Sequence, residues 1–198
     1  MNRYPAYSFI RERIELEFQK LEKDKVTPWA FFLSGKTLRL TDFFGKEISY
    51  SGIIKFEGSP RSVFWKGFIQ PFLQDIASRS FSETRDFCLM HGIELKQPIE
   101  DTASLLKAGI NQIYHRMSDI DQRLRGKGYP NSVPKYDPKA EIAHAEAFVE
   151  ERMSAELALI ITTKKRKTLN TFYEEQKFWF WFIGIIIAVA GVLLKIFE

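Results

Sequence analysis

From Phe178 to Leu194 the chain reads FWFWFIGIIIAVAGVLL, and every residue in that run is apolar or glycine. With Lys195, Ile196 and Phe197 it reaches about 20 residues, enough at roughly 1.5 Å each to cross a hydrocarbon layer of ~30 Å. A core helix of a soluble domain keeps polar positions on one face, and none interrupts this run. The pattern therefore predicts a transmembrane helix over 178–197. Lys195 sits near its far end, where the aliphatic stem stays buried while the ammonium reaches the headgroups.

The flanks set the orientation. Lys164, Lys165, Arg166 and Lys167 precede the span, with Lys177 closer still, whereas only Lys195 lies at the other end. The positive-inside rule then places residues 1–177 in the cytoplasm. The start, MNRYPAYSFIRERIELEF, is charged throughout and has no apolar signal core. The expected topology is tail-anchored, with post-translational insertion. If the preceding helix is continuous, Lys167 lies about 16 Å before Phe178, so the basic run acts on topology rather than by binding lipid.

Phe178, Trp179 and Trp181 crowd the cytoplasmic end of the span, where amphipathic rings favour the interface. Gly184, Ala188 and Gly191 recur at spacings of four and three, forming a small-residue side that lets helices approach closely. This face predicts a homo-oligomer, and an assembled pore would have an apolar lining.

Composition narrows the rest. Of 198 residues 45% are apolar and 27% charged, which excludes disorder. Cys88 is the single cysteine, so no internal disulfide or multi-cysteine zinc site exists, and a reducing cytosol suits it. The net charge of +4 equals the charge of Lys164–Lys167 alone. The remainder is neutral, which argues against a nucleic-acid face. The Phe-, Ile- and Lys-rich texture leans towards a bacterial inner membrane.

The expected fold class is α+β: a mostly helical cytosolic domain with a small antiparallel β-meander, then a long juxtamembrane helix and a single C-terminal transmembrane helix. The divisions are 1–127 for the cytosolic domain, 128–138 for a Pro-rich linker, 139–177 for the juxtamembrane helix or stalk, and 178–197 for the span. Ser8 reads as the N-cap of a helix over 8–24. The segments AFFL, KTLRLTD, EISYS and IIKFE between Trp29 and Glu57 read as meander strands separated by glycine turns. Gly58-Ser59-Pro60 reads as the start of a helix that Pro71 bends. Further helices are predicted over 82–91, ending at Gly92, and from Pro98 to Arg125. The second has apolar positions Leu105, Leu106, Ile110, Ile113, Met117, Ile120 and Leu124. The irregular apolar seam of the stalk suits packing on the domain or on copies of itself. The aromatic segment Val63–Phe72, with Phe64, Trp65, Phe68 and Phe72, reads as core. Any part of it left exposed is the first candidate for a partner surface.

Motifs for chemistry are sparse. Ser34-Gly35-Lys36-Thr37 has the ending of a phosphate loop, but Ala30 stands where a glycine is needed and a strand-like LRL comes next. His91, His115 and His144 are too scattered for a metal site, and Asp119 and Asp121 read as solvated charges. No metal and no cofactor is expected. Arg85-Asp86-Phe87-Cys88-Leu89-Met90-His91 fits an R-x(4–6)-H pattern and resembles the active-site motif of HEPN-type ribonucleases. That resemblance implies Arg85 and His91 as catalytic residues that meet their counterparts across a helical dimer and cleave RNA without metal. The histidine would serve as acid or base and the arginine would stabilise phosphorane charge.

Two functions are therefore expected in competition. One is a membrane-tethered partner- or signal-binding module that self-associates and acts on the membrane as an effector. It would take an unidentified cytosolic protein or small-molecule signal as partner, with the lipid bilayer as its seat. The other is a membrane-tethered ribonuclease built on Arg85 and His91.

Overall fold

The long apolar stripe ending at Leu124 folds as expected. In the computed structural model, which describes residues 6–34, 37–50, 68–126 and 135–162, it becomes a helix over Lys96–Arg125. Three further helices, at Tyr7–Leu21, Gln70–Met90 and 139–162, complete the α-helical part of the described residues. A two-stranded antiparallel sheet joins Leu38–Thr41 to Glu47–Tyr50, with Leu38 opposite Tyr50 and Thr41 opposite Glu47. In chain order these are α1 (Tyr7–Leu21), β1 (Leu38–Thr41), β2 (Glu47–Tyr50), α2 (Gln70–Met90), α3 (Lys96–Arg125) and α4 (139–162). The described part is thus α+β and mostly helical.

The core lies among α1, α2 and α3. From α1 come Ile10, Ile14, Phe18 and Leu21, at helical spacing; α2 gives Leu73, Ile76, Ala77 and Phe81. From α3, Ile99, Leu106, Ile110, Ile113 and Ile120 are almost wholly buried. Two ion pairs, Arg13–Glu83 at 3.2 Å and Arg79–Glu17 at 3.1 Å, run in opposite chain directions, so α1 and α2 are antiparallel. Thr84 and Thr102 share a buried hydroxyl hydrogen bond of 2.9 Å between α2 and α3. Each satisfies the other where no water can.

Local structure departs from the sequence reading at four places. Helix α1 begins a residue early, with Ala6 at the N-cap and no side-chain cap, so Ser8 lies inside it. The Ile10 N–H still finds the Ala6 carbonyl at 3.0 Å. AFFL is not a strand: after a π-helical turn over Glu22–Val26, residues Thr27–Ser34 form a 3₁₀ helix. A short apolar run has no decisive period, and Pro28 at the start of the turn suits a helical φ.

The third departure is in α2, which runs unbroken from Gln70 to Met90 where one helix bent by Pro71 and a second over 82–91 were predicted. Ser82 donates to the Ser78 carbonyl at 3.1 Å, so its hydroxyl is spent within the helix rather than ending it. Pro71 falls in the first turn of α2, where a missing N–H costs least. The fourth is Asp121, read as solvated but only 1% exposed. It accepts from Arg125 Nε at 3.3 Å and from the Tyr136 backbone N–H at 3.2 Å.

The turns fall where the glycines predict. Asp42 Oδ1 accepts the Phe44 and Lys46 N–H groups at 2.9 and 2.7 Å, and Gly45 takes a φ of 82° to close the β1–β2 hairpin. At the end of α2, Ile93 N–H reaches the Cys88 carbonyl at 2.8 Å and Gly92 N–H reaches Leu89 at 3.4 Å. These are the paired bonds of a Schellman cap, with Gly92 at φ 64°.

The compact unit covers residues 1–156, and a second unit covers 157–198. Among the described residues no helix is long and apolar enough to cross a membrane. The predicted span, the basic run Lys164–Lys167, the face of Gly184, Ala188 and Gly191, the segment IIKFE and the helix start at Gly58-Ser59-Pro60 lie outside the described residues.

Two buried phenols make the unit sensitive to alkali. Burial, with the charge of Glu141 added, pushes the Tyr114 phenol up to about 12; burial also raises Tyr136, again with Glu141 second. Unfolded, either phenol ionises near pH 10. Between that value and the raised one the unfolded chain has lost a proton that the folded chain keeps, so stability falls as pH rises. Tyr114 alone should remove on the order of 3 kcal/mol between about pH 10 and 12. Urea midpoints at pH 9 and pH 11 should show the loss, and Tyr114→Phe should flatten it. A slope unchanged in Tyr114→Phe would assign the alkaline loss elsewhere.

Candidate functional site

A groove of about 390 Å³ opens where α1, α2 and the hairpin tip meet. Its position follows from local structure. The C-terminal half of α1 supplies Glu17, Lys20 and Leu21, and the π-helical turn supplies Asp24 and Lys25. The first turns of α2 supply Phe72, Asp75, Ile76 and Arg79, and the Asp42–Gly45 turn brings in Phe43.

The floor is aromatic. Phe43 meets Phe72 edge to face, at 5.5 Å between centroids and 88° between planes, and Phe68 backs Phe72 at 5.5 Å. Phe68 is buried, as the aromatic segment predicts, whereas Phe72 is only partly covered. Among the described residues of that segment, Phe72 is thus the aromatic left partly open, the kind of position flagged for a partner surface. Residues 63–67 of it lie outside the described residues. Phe43 is 39% exposed and Phe44, beside it on the turn, is 85% exposed.

Charges rim the floor unevenly. Arg79 is clasped by Glu17 at 3.1 Å and Asp75 at 2.8 Å, and its hydrogen bond to Glu17 is the main influence raising its pKa. The Lys25 ammonium donates to the Thr41 carbonyl at 2.6 Å and stands 5.2 Å over the Phe72 ring, a cation–π geometry. Lys20 and Asp24 are exposed and form no ion pair with a described residue. A ligand with an apolar or aromatic anchor could sit on Phe43 and Phe72 and meet a cation and an anion at the rim.

Arg85 and His91 sit apart from this groove. Both lie at the C-terminal end of α2, but six residues of helix turn them roughly 120° from each other. The Arg85 guanidinium contacts α4: Nη1 donates to both oxygens of Glu156, at 3.0 and 3.3 Å, and Nε donates to Asp86 at 3.2 Å. His91 is exposed at the C-cap, with its ring 4.3 Å from that of Phe87, which stacks on Phe9 of α1 at 4.7 Å. Within one chain the two side chains are not brought together. His144 is hydrogen-bonded to Gln70 at 2.7 Å. No group of three or more His, Cys, Asp or Glu among the described residues is arranged to hold a metal. The Cys88 thiol is fully buried, and burial raises its pKa.

Sequence reasoning flagged Phe72 and missed the other groove residues, because they come from three separate stretches and no local pattern joins them. It also missed Glu156, only 4% exposed, whose partner lies 71 residues away. No family model, no curated protein and no solved structure matches this chain.

Proposed function

We propose that the chain is a single-pass membrane protein whose cytosolic domain captures a partner or signal in the groove between α1, α2 and the hairpin tip. The apolar run 178–197 with its basic cytoplasmic flank supports the anchoring. Gly184, Ala188 and Gly191 support association of copies within the bilayer. Copies assembled in this way would bring several grooves together and let the spans act on the membrane.

The observation that carries the binding part is the partly open Phe43–Phe72 pair beside Lys20 and Asp24, which have no ion pair among the described residues. Aromatic pairs in water-filled concavities are desolvated on binding and dominate recognition energies.

The test is a photo-crosslinking amino acid placed at Phe44, on the lip of the groove, in the full chain in its native membrane. A discrete adduct that vanishes with Phe72→Ala is expected. The same probe at Leu16, which is 57% exposed on α1 and does not line the groove, should give no such adduct. Equal labelling from both positions, or an adduct indifferent to Phe72→Ala, would rule the groove out. Release of the chain from membranes by an alkaline carbonate wash would overturn the anchoring.

A further inference from the structure

The part of α4 within the compact unit, residues 139–156, lies on α2 and α3, and what holds it there is mostly polar. His144 meets Gln70 at 2.7 Å, Glu146 accepts from Asn111 at 2.6 Å and Glu150 pairs with Lys107. At the last residue of the unit, Glu156 is gripped by Arg85. The fully buried apolar side chains of this stretch are two small ones, Ala145 and Val149, while the larger Ile142, Phe148 and Met153 are only partly covered. By contrast α3 buries isoleucines, leucines, Tyr114 and Met117 along its whole length.

Burial of apolar area sets how strongly an element is held, and part-exposed polar pairs add little. The Lys107 and Glu150 side chains are 33% and 47% exposed, so water competes for both. The Glu156 side chain is 5% exposed, so its charge relies on Arg85; removing a partner from such a pair costs far more than the intact pair contributes.

We propose that residues 139–156 form a releasable strap, which undocks as a unit from α2 and α3 while the α1–α2–α3 core stays folded, with Arg85–Glu156 as its clasp. The weak apolar seam makes the strap the first element to open. The pair makes that opening switchable, because whatever takes Arg85 away leaves the nearly buried Glu156 carboxylate without its counter-charge, whereas Arg85 itself is 31% exposed and also meets Asp86. Arg85 is therefore a positioning residue for the strap. Release uncovers the surface around Leu73 and Ile110 that Ala145, Phe148 and Val149 now flank.

Hydrogen–deuterium exchange on the full chain in detergent micelles tests this. In Arg85→Ala, amides of residues 144–156 should exchange about a hundredfold faster, while those of 99–120 in α3 keep their protection. The charge-free pair Arg85→Met with Glu156→Leu should restore strap protection to the wild-type level or above it. Unchanged strap exchange in Arg85→Ala would overturn the proposal. So would loss of protection in α3 in step with the strap, which would make residues 139–156 part of the core. A charge-free pair as open as Arg85→Ala would show that the clasp lies elsewhere.

Discussion

Gly109→Ala is expected to destabilise the compact unit by about 2 kcal/mol, the cost of overpacking a tight site. The sign is the informative part. In the middle of a helix alanine is favoured over glycine by about 1 kcal/mol, and Gly109 lies well inside the 30-residue α3. Propensity alone predicts a stabilised variant. The opposing effect comes from α1: a Cβ on residue 109 would overlap the Phe18 ring at Cδ2 and Cε2 and stand 2.7 Å from Cγ. The Phe18 ring is 5% exposed and packed among core side chains, so it has no free direction in which to yield. Thermal unfolding should show a midpoint lowered by roughly 4–8 °C. The cause can be isolated with Phe18→Leu, which trims the ring that the new methyl strikes. The double variant should be more stable than the two single losses added together, with a coupling of about 1 kcal/mol or more. A Gly109→Ala variant as stable as the wild type would mean that α1 and α3 do not approach as closely as this contact requires.

Gly109 shows what a sequence read by periodicity passes over. The apolar stripe of α3 was legible because thirty residues of regular spacing admit one reading, and the same regularity conceals a glycine selected by a neighbour 91 positions away. Punctuation was legible too. Gly45 closes the hairpin turn and Gly92 caps α2, both at positive φ, the conformation for which glycine is best suited. AFFL failed as a strand because four apolar residues have no period of their own, and the helical turns preceding it continued. Two helices were expected where α2 runs as one; around the junction Ser82 bonds within the helix and Ser80 is buried. The groove was the least legible feature. Only Phe72 lay in a segment dense enough to attract notice, and its companions converge on it only once α1 and α2 lie antiparallel.

Asp121→Ala is expected to cost the unit about 2–4 kcal/mol, the upper part of the range for single substitutions. In sequence this aspartate sits two positions from Asp119, which is exposed, and nothing local distinguishes them. In the fold they face different directions on α3, and Asp121 turns inward to 1% exposure. There its Oδ2 serves both Arg125, one turn ahead on the same helix, and the backbone N–H of Tyr136, 15 residues on. The carboxylate therefore ties Tyr136 to α3, just ahead of the strap. Two outcomes separate that role from simple packing. Asp121→Asn keeps an oxygen of the same reach for Tyr136 and should recover about half of the loss, because only the charge opposite Arg125 is gone. Asp121→Leu fills the volume without an acceptor and should be no better than alanine. Chemical denaturation of the three variants makes the comparison. If leucine proves as stable as the wild type, the site is one of volume, and the tie to Tyr136 contributes nothing to stability.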